Sequence, residues 1–437
     1  MRDILYDYQM NATTWVYLSS LIIIAVYFKF RRVWSVRNLD LIALGALAPG
    51  LLLVSHGMQV ASDGLESLGY LWLFTVGIFF LVRLLVDPLM VRRPLLEPNL
   101  SASGLSFAGV VMLVFLIGNV VTPGQTESDL EGGRWMDRLL AREDSPEVRE
   151  YLTEHGPGYP LFFIFSSFSD KPAAVNAPPE ERQRAWPRVA VTRTTAILAH
   201  LAVVLGMILI GYGHFDNVQT GVAASTLYLL LPYTAQYTPR LDHAVPAALL
   251  VWAVQSYRRP AVAGVLAGLA GGLIYYPLYL LPLWCSFYWR RGLFRFLAGA
   301  GIVLLLLAGL LAFTSSSTAF YLAQLRQMFG VRLADPGTLS GFWAFHAAVF
   351  RYPVIAAFAV MCAGMALWPA QKNLGTLFGC SAAILLGAQF WKAQEGGIYM
   401  AWYLPLLILT ILRPNLEDRI ALSAISEGWV GRRKGKA

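Results

Sequence analysis

The stretch Trp15-Val16-Tyr17-Leu18-Ser19-Ser20-Leu21-Ile22-Ile23-Ile24-Ala25-Val26-Tyr27-Phe28-Lys29-Phe30-Arg31-Arg32 decides the fold class. Trp15 to Phe28 carry no charge, and the run then ends in a basic cluster. A hydrocarbon layer roughly 30 Å thick takes about 20 apolar helical residues per crossing, and Lys and Arg collect in cytoplasmic connections. The stretch therefore reads as a membrane helix that starts outside and ends inside. The segment before it, Asp3 to Tyr8, is acidic and aromatic rather than basic, so the helix is expected to be retained and not cleaved as a signal peptide.

The same pattern recurs along the 437 residues. Apolar runs centred near Ile23, Ala48, Val76 and Leu113 precede a hydrophilic interval from about Thr122 to Arg188. Runs centred near Val203, Leu229, Leu249, Leu269, Leu283, Leu305, Ala357, Leu385 and Leu407 follow it. The expected fold is an all-α integral membrane protein with about 13 transmembrane helices and one long outer loop. With 57% hydrophobic and only 14% charged residues, the composition leaves little for a separate soluble domain. Pro232, Pro246, Gly271, Gly272, Pro277 and Pro282 fall inside the runs and predict kinked, close-packed helices.

The net charge of +8 raises the question of nucleic acid, but the basic residues sit at the ends of apolar runs, where they act as topology signals; no nucleic-acid partner is expected. Besides Lys29 to Arg32 they are Arg92-Arg93, Arg258-Arg259, Arg290-Arg291 with Arg295, Lys372, Arg413, Arg419 and the tail Arg432-Arg433-Lys434. This alternation puts the N-terminus outside and the C-terminus in the cytoplasm, with a bacterial inner membrane as the expected location. Only the inner connection Gly213 to Gln219 lacks a basic residue. Two loops, 122–188 and 314–341, fall on the outer face, where they can meet. Cys285, Cys362 and Cys380 lie inside apolar runs without CxxC spacing, which suggests neither a disulfide framework nor a zinc site.

Several outer residues can carry chemistry. Arg240-Leu241-Asp242-His243 places a cation, an anion and an imidazole at the outer end of one run, able to hold a phosphate or a metal; helix capping is the competing reading. The second outer loop holds Gln324, Arg326, Arg332 and Asp335, and Lys392 with Glu395 follows a later run on the same side. Arg326 and Lys392 suit an anionic lipid headgroup, with interfacial anchoring as the alternative. In the first outer loop, Leu130 to Arg149 suits an amphipathic helix on the membrane surface, and Gly156 to Phe165 is too short to span. Arg83 and His200 lie within apolar runs and are expected to face the bundle.

The order of these features resembles the GT-C class of multi-spanning glycosyltransferases, which use a polyprenyl-phosphate-linked sugar. The resemblance runs over roughly 106–412: a helix at Leu105 to Val121, the acidic Glu127-Ser128-Asp129-Leu130-Glu131, then Gly158-Tyr159-Pro160-Leu161. Further on, Arg258-Arg259-Pro260 opens the glycine-rich run to Gly271-Gly272, followed by Tyr275-Tyr276-Pro277 and Leu280-Leu281-Pro282. The basic residue that often precedes that Tyr-Pro is replaced here by Ile274-Tyr275.

What the resemblance implies is a GT-C-like bundle over 105–412, preceded by N-terminal transmembrane helices in 1–104 and followed by a basic tail, 413–437. It implies transfer of a monosaccharide, mannose-like among the options, from a polyprenyl-phosphate donor to a glycan, lipid or protein acceptor at the outer face. Asp129 is the leading base by that resemblance, with Glu127 and Glu131 not separable from it. Arg240, Asp242, His243, His155, Tyr159, Arg326 and Lys392 are the candidate substrate-binding residues, and a divalent cation is a possible cofactor. The alternatives are a transporter or lipid flippase lined by Arg83 and His200, or an inactive scaffold.

Overall fold

The computed structural model describes residues 12–90, 97–122, 127–155, 157–167, 186–289, 291–330, 337, 339–369, 372–414 and 416, without the side chains of 12, 127–131, 150, 153–155, 165, 166 and 186. Among these the chain is helical, with one isolated bridge between Gly341 and Gly396. In order the helices are α1 (Ala12–Tyr27), α2 (Val36–Gln59), α3 (Asp63–Val86), α4 (Ala102–Val121), α5 (Glu127–Leu140) and α6 (Pro146–His155). Next come α7 (Ile164–Ser167), α8 (Trp186–Gly213), α9 (Val218–Leu230), α10 (Pro232–Gln236), α11 (Leu241–Gln255) and α12 (Pro260–Leu273). Last are α13 (Leu281–Phe287), α14 (Leu293–Thr314), α15 (Thr318–Met328), α16 (Arg351–Leu367), α17 (Leu374–Gln389) and α18 (Leu404–Leu412).

Among the described residues, six stretches are long and apolar enough to cross a membrane: Val36–Gln59, Asp63–Leu89, Ala102–Val121, Pro187–Gly213, Leu293–Thr314 and Ala348–Leu367. Their outer surfaces suit hydrocarbon, because Phe107, Val110 and Val114 of α4, Leu305 and Leu306 of α14 and Val360 of α16 are all largely exposed. Every expected centre falls on a helix, but Ile23, Leu229, Leu249, Leu269, Leu283, Leu385 and Leu407 fall on shorter ones. A helix like α9 rises only about 20 Å. Proline is the main reason. Leu231 is extended before Pro232 and closes α9, while Pro282 and Pro405 sit in the first turns of α13 and α18. Ile274, also extended, closes α12 shortly before Pro277.

Glycine sets the closest helix contact. A Cβ at Gly264 would lie 2.1 Å from the Phe296 carbonyl oxygen, and one at Gly299 would lie 2.2 Å from that of Ala261. The backbones of α12 and α14 therefore touch, as small residues permit in membrane bundles. The first three helices share this core and are not appended to it. The Tyr27 hydroxyl donates to the Ala223 carbonyl at 2.8 Å, joining α1 to α9. Gly77 of α3 faces Phe390 and Leu386, at the end of α17.

Two ion networks bracket the bundle. At one end, Arg83 Nε bonds both oxygens of Asp40 at 3.1 and 3.2 Å, and its NH1 reaches Asp87 Oδ1 at 3.0 Å. Arg413 NH2 takes the other Asp87 oxygen at 2.7 Å. All four are buried or nearly so, and the network stitches α2 and α3 to the end of α18. The second network is the candidate site.

The loops 122–188 and 314–341 correct one expectation. Met136 and Leu139 of α5 are buried, against the Tyr159–Phe163 turn and within an apolar cluster of Val148, Tyr151, Leu152 and Phe320 of α15. The apolar face of the amphipathic helix is thus spent on its own chain and not on the membrane surface, because the second outer loop offers it an apolar partner. Arg142 donates to the Phe313 carbonyl at 2.9 Å, and Ser316 bonds Asp144 at 3.0 Å, so the two loops form one layer.

Candidate functional site

Three breaks in the helical chain meet at one place: residues 231–240, 274–280 and 390–403. Irregular backbone at membrane depth is tolerated where it is buried in protein or lines a cavity, so this convergence marks the site physically. The breaks are held together by aromatic rings. Tyr276 lies 5.3 Å from Trp402, Trp402 lies 4.7 Å from Tyr399, and Tyr399 lies 4.5 Å from the His243 ring. On its other side the imidazole stacks nearly parallel on Tyr237, at 5.1 Å.

The charges sit inside this aromatic wall. Asp242 occupies the first turn of α11, where the helix dipole favours an anion, and its carbonyl accepts the Trp402 indole N–H at 2.9 Å. Its carboxylate holds one edge of Arg240, with contacts of 2.9 Å to NH2 and 3.3 Å to Nε. The other edge of that guanidinium faces Glu395, 3.4 Å from NH1. Asp242 is buried, whereas Arg240 and Glu395 are each about 31% exposed, so the site is open on the Glu395 side. Burial pulls the Arg240 pKa down, but Asp242 and Glu395 outweigh it and hold the group above its ordinary value.

His243 Nδ1 meets the Tyr233 hydroxyl at 2.5 Å. Nε2 has no hydrogen-bond partner and lies 3.7 Å from Asp242 Oδ2. Lys392 completes the set. Its ammonium sits 3.8 Å over the Tyr399 ring and donates to the Gln394 carbonyl. Burial pushes the Lys392 pKa down to about 7, against the raising pull of Glu395 and Asp242. Two cations, two carboxylates and an imidazole thus share one partly open chamber.

The segment carrying Lys392 and Glu395 is pinned from several sides. Ser340 donates its N–H to the Ala393 carbonyl, and its hydroxyl accepts from the Glu395 N–H. The Gln389 side chain accepts from Gly397 N–H, and Arg351 donates to the Trp391 carbonyl at 2.7 Å. Glu395 itself has φ +48, the left-handed region that side-chain-bearing residues avoid. Strain of this kind persists only where the surroundings over-determine it, and it concentrates at functional sites.

A roof covers the chamber. Phe162 and Phe163 pack on Leu241, in the first turn of α11, and Tyr159 beside them lies within electrostatic reach of Tyr399. Gly158 seats this turn: a Cβ there would lie 2.0 Å from the Leu273 carbonyl oxygen. Above it lies α5, whose Gly132 has no room for a Cβ against the Phe163 ring. Asp137 of α5 pairs with buried Arg188 at 2.8 Å, which fixes the layer to α8.

Of the residues expected from sequence, Arg240, Asp242, His243 and Lys392 come together, with Tyr159 at the roof. Arg326 is not brought in, because it sits on the exposed face of α15 while Phe320, Gln324 and Met328 take the buried one. Glu127, Asp129 and Glu131 belong to the first turns of α5; their side chains, and that of His155, lie outside the described residues. Among the described residues, no three His, Cys, Asp or Glu side chains converge on a metal position. Glu395, Tyr399, Tyr233 and Tyr237 were not singled out as site residues from sequence. The one available signal was Gly396-Gly397 directly after the charged pair, a place where backbone can turn tightly.

Arg83 and His200 are both engaged in structure: Arg83 in the ion network, and His200 between the Tyr228 hydroxyl at 2.9 Å and the Thr238 carbonyl at 3.1 Å. Cys285, Cys362 and Cys380 are free thiols. No family model, curated protein or solved structure matches the chain.

Proposed function

We propose that this chain is a membrane glycosyltransferase of GT-C-like design, with about 13 crossings and the charged chamber facing the outer side. Its donor is a polyprenyl-phosphate-linked monosaccharide and its acceptor carries a hydroxyl. The observation that carries this reading is the division of Arg240: Asp242 fixes one edge of the guanidinium, and the second edge is turned to the open side, shared with the half-exposed Glu395 carboxylate and the Tyr399 hydroxyl. A phosphate oxygen suits that second edge, since guanidinium forks bind phosphate in two-point fashion. Lys392 adds a second positive charge where the leaving phosphate accumulates it.

In the transfer, the acceptor oxygen attacks the anomeric carbon, the bond from that carbon to the phosphate oxygen breaks, and polyprenyl phosphate leaves with the electron pair. The acceptor proton goes to a carboxylate. Glu395 is the one beside the open edge of Arg240; Asp129, with Glu127 and Glu131, is the base that the resemblance implies. The test is transfer of labelled mannose from polyprenyl-phosphate mannose by the purified protein in nanodiscs, comparing Arg240→Met, Glu395→Gln and Asp129→Asn. Loss on Arg240→Met and on one of the two carboxylate variants supports the reading and names the base. Folded wild-type protein that neither binds the donor nor transfers sugar would falsify it.

A further inference from the structure

The helices that precede the GT-C-like region are not outside the site. The outer turns of α3 form one of its walls, and Tyr70 is the residue that faces in. Its side chain is fully buried, and its hydroxyl makes no hydrogen bond among the described residues. Three other fully buried tyrosines do have partners: Tyr27 in the Ala223 carbonyl, Tyr228 in His200, and Tyr288 in the Tyr257 carbonyl at 2.7 Å. A buried hydroxyl without a partner is costly, so Tyr70 calls for one that the described residues do not supply.

The geometry says where that partner lies. The Tyr70 hydroxyl is within electrostatic reach of Glu395, Tyr237, Glu66 and Tyr399. Between its ring and the Glu395 backbone stands Gly341, with φ +70. A Cβ there would lie 3.1 Å from Tyr70 Cζ and 2.8 Å from Glu395 Cα. Gly341 therefore packs directly between α3 and the 390–399 segment, which brings the Tyr70 ring close to the Glu395 backbone. Glu66, one turn before Tyr70, also acts on Glu395 across the same gap.

We infer that Tyr70 is a substrate-contacting, specificity-determining residue whose hydroxyl bonds a hydroxyl of the sugar carried by the donor. The inference rests on the transferase reading and adds to it a sugar pocket walled by α3, apart from the phosphate position at Arg240 and Lys392. Tyr70 is a binding residue here and takes no proton in the reaction.

The test uses Tyr70→Phe in the full chain in nanodiscs, with two probes: polyprenyl-phosphate mannose and sugar-free polyprenyl phosphate. Expected is about a tenfold loss of affinity for the sugar-bearing lipid, unchanged affinity for the sugar-free one, and a lipid-free thermal midpoint equal to or above that of wild type. The midpoint separates a ligand contact from a structural role, because removing an unpartnered buried hydroxyl does not weaken the fold. Equal affinities of variant and wild type for both lipids, an equal loss for both, or a lowered midpoint overturns Tyr70 while leaving the transferase reading in place. Wild-type protein that binds neither lipid overturns the transferase reading and this inference with it.

Discussion

Lys392 and Glu395 lie three residues apart in the same pinned segment, and each predicts a different signature. Burial lowers the Lys392 pKa from about 10.5 to about 7, so between those two values the unfolded chain binds the proton that the folded chain has released. Stability contributed by this group therefore rises with pH across that window, and its cost is fully present below pH 7. Thermal midpoints of wild type and Lys392→Met should draw together as pH rises from 7 toward 10, with wild type the less stable at the acid end. Donor binding should run the other way, since phosphate attracts the charged form: affinity in wild type falls as pH rises above about 7, and the slope vanishes in Lys392→Met. A wild-type affinity flat from pH 6 to 9 would remove Lys392 from the phosphate position.

Glu395 carries a backbone cost as well as a charge. At φ +48 a side-chain-bearing residue pays roughly 1–2 kcal/mol that glycine does not. Its ion pair with Arg240 is half-exposed and worth little by comparison. Glu395→Gly is expected to raise the thermal midpoint by about a degree or two, and to abolish transfer if this carboxylate is the base. Glu395→Gln should leave the midpoint near wild type and lose transfer alike. A falling midpoint in Glu395→Gly would mean that the side chain, and not its φ, holds the segment. None of this was legible in the sequence: Lys392 was marked by its charge, but the left-handed turn depends on Ser340 and Gly341, some fifty positions earlier.

At the scale of elements, the apolar runs and their order were legible because hydrophobic length is a direct physical readout of the membrane. Their lengths were less so, since the prolines at 232, 282 and 405 shorten helices at the site end by an amount that depends on what satisfies the freed backbone groups. The glycine-rich run from Gly264 was read as a family cadence, and its cause is now visible as backbone contact between α12 and α14. Gly264→Ala puts a methyl group onto the Phe296 carbonyl, backbone against backbone, so no side chain can yield. It is expected to lower the thermal midpoint and the yield of folded protein, at a cost of about 1–3 kcal/mol or more, whereas Gly301→Ala, which faces open space, should be neutral. Gly158→Ala meets the Leu273 carbonyl in the same way. There the expected damage is local: the Tyr159 turn lifts, protease access to the outer loops increases, and the membrane helices keep their midpoint. If proteolysis at the outer loops is unchanged, the roof is not seated by Gly158.

At the scale of the whole molecule, the Asp40, Arg83, Asp87 and Arg413 network decides whether the first three helices are an addition or a part. From sequence, Arg83 was expected to face the bundle, but the network was invisible because Arg413, the second guanidinium on Asp87, lies more than three hundred positions further on. Asp87 is the keystone, with one oxygen on each guanidinium. Arg83 keeps Asp40 when Asp87 is neutralised, while Arg413 loses its 2.7 Å bond to Asp87. Asp87→Asn is therefore expected to lower the thermal midpoint, because it breaks a buried ion pair by removing its carboxylate. Replacing both members together, as Asp87→Asn with Arg413→Met, removes the pair as a unit, so the double variant should be more stable than the sum of the single losses predicts. This coupling spans the join between the N-terminal helices and the last helix of the bundle, and it sits at the end opposite the charged chamber. Strictly additive losses in detergent-held protein would show that α3 and α18 are not energetically joined there, and would return the N-terminal helices to the status of an accessory.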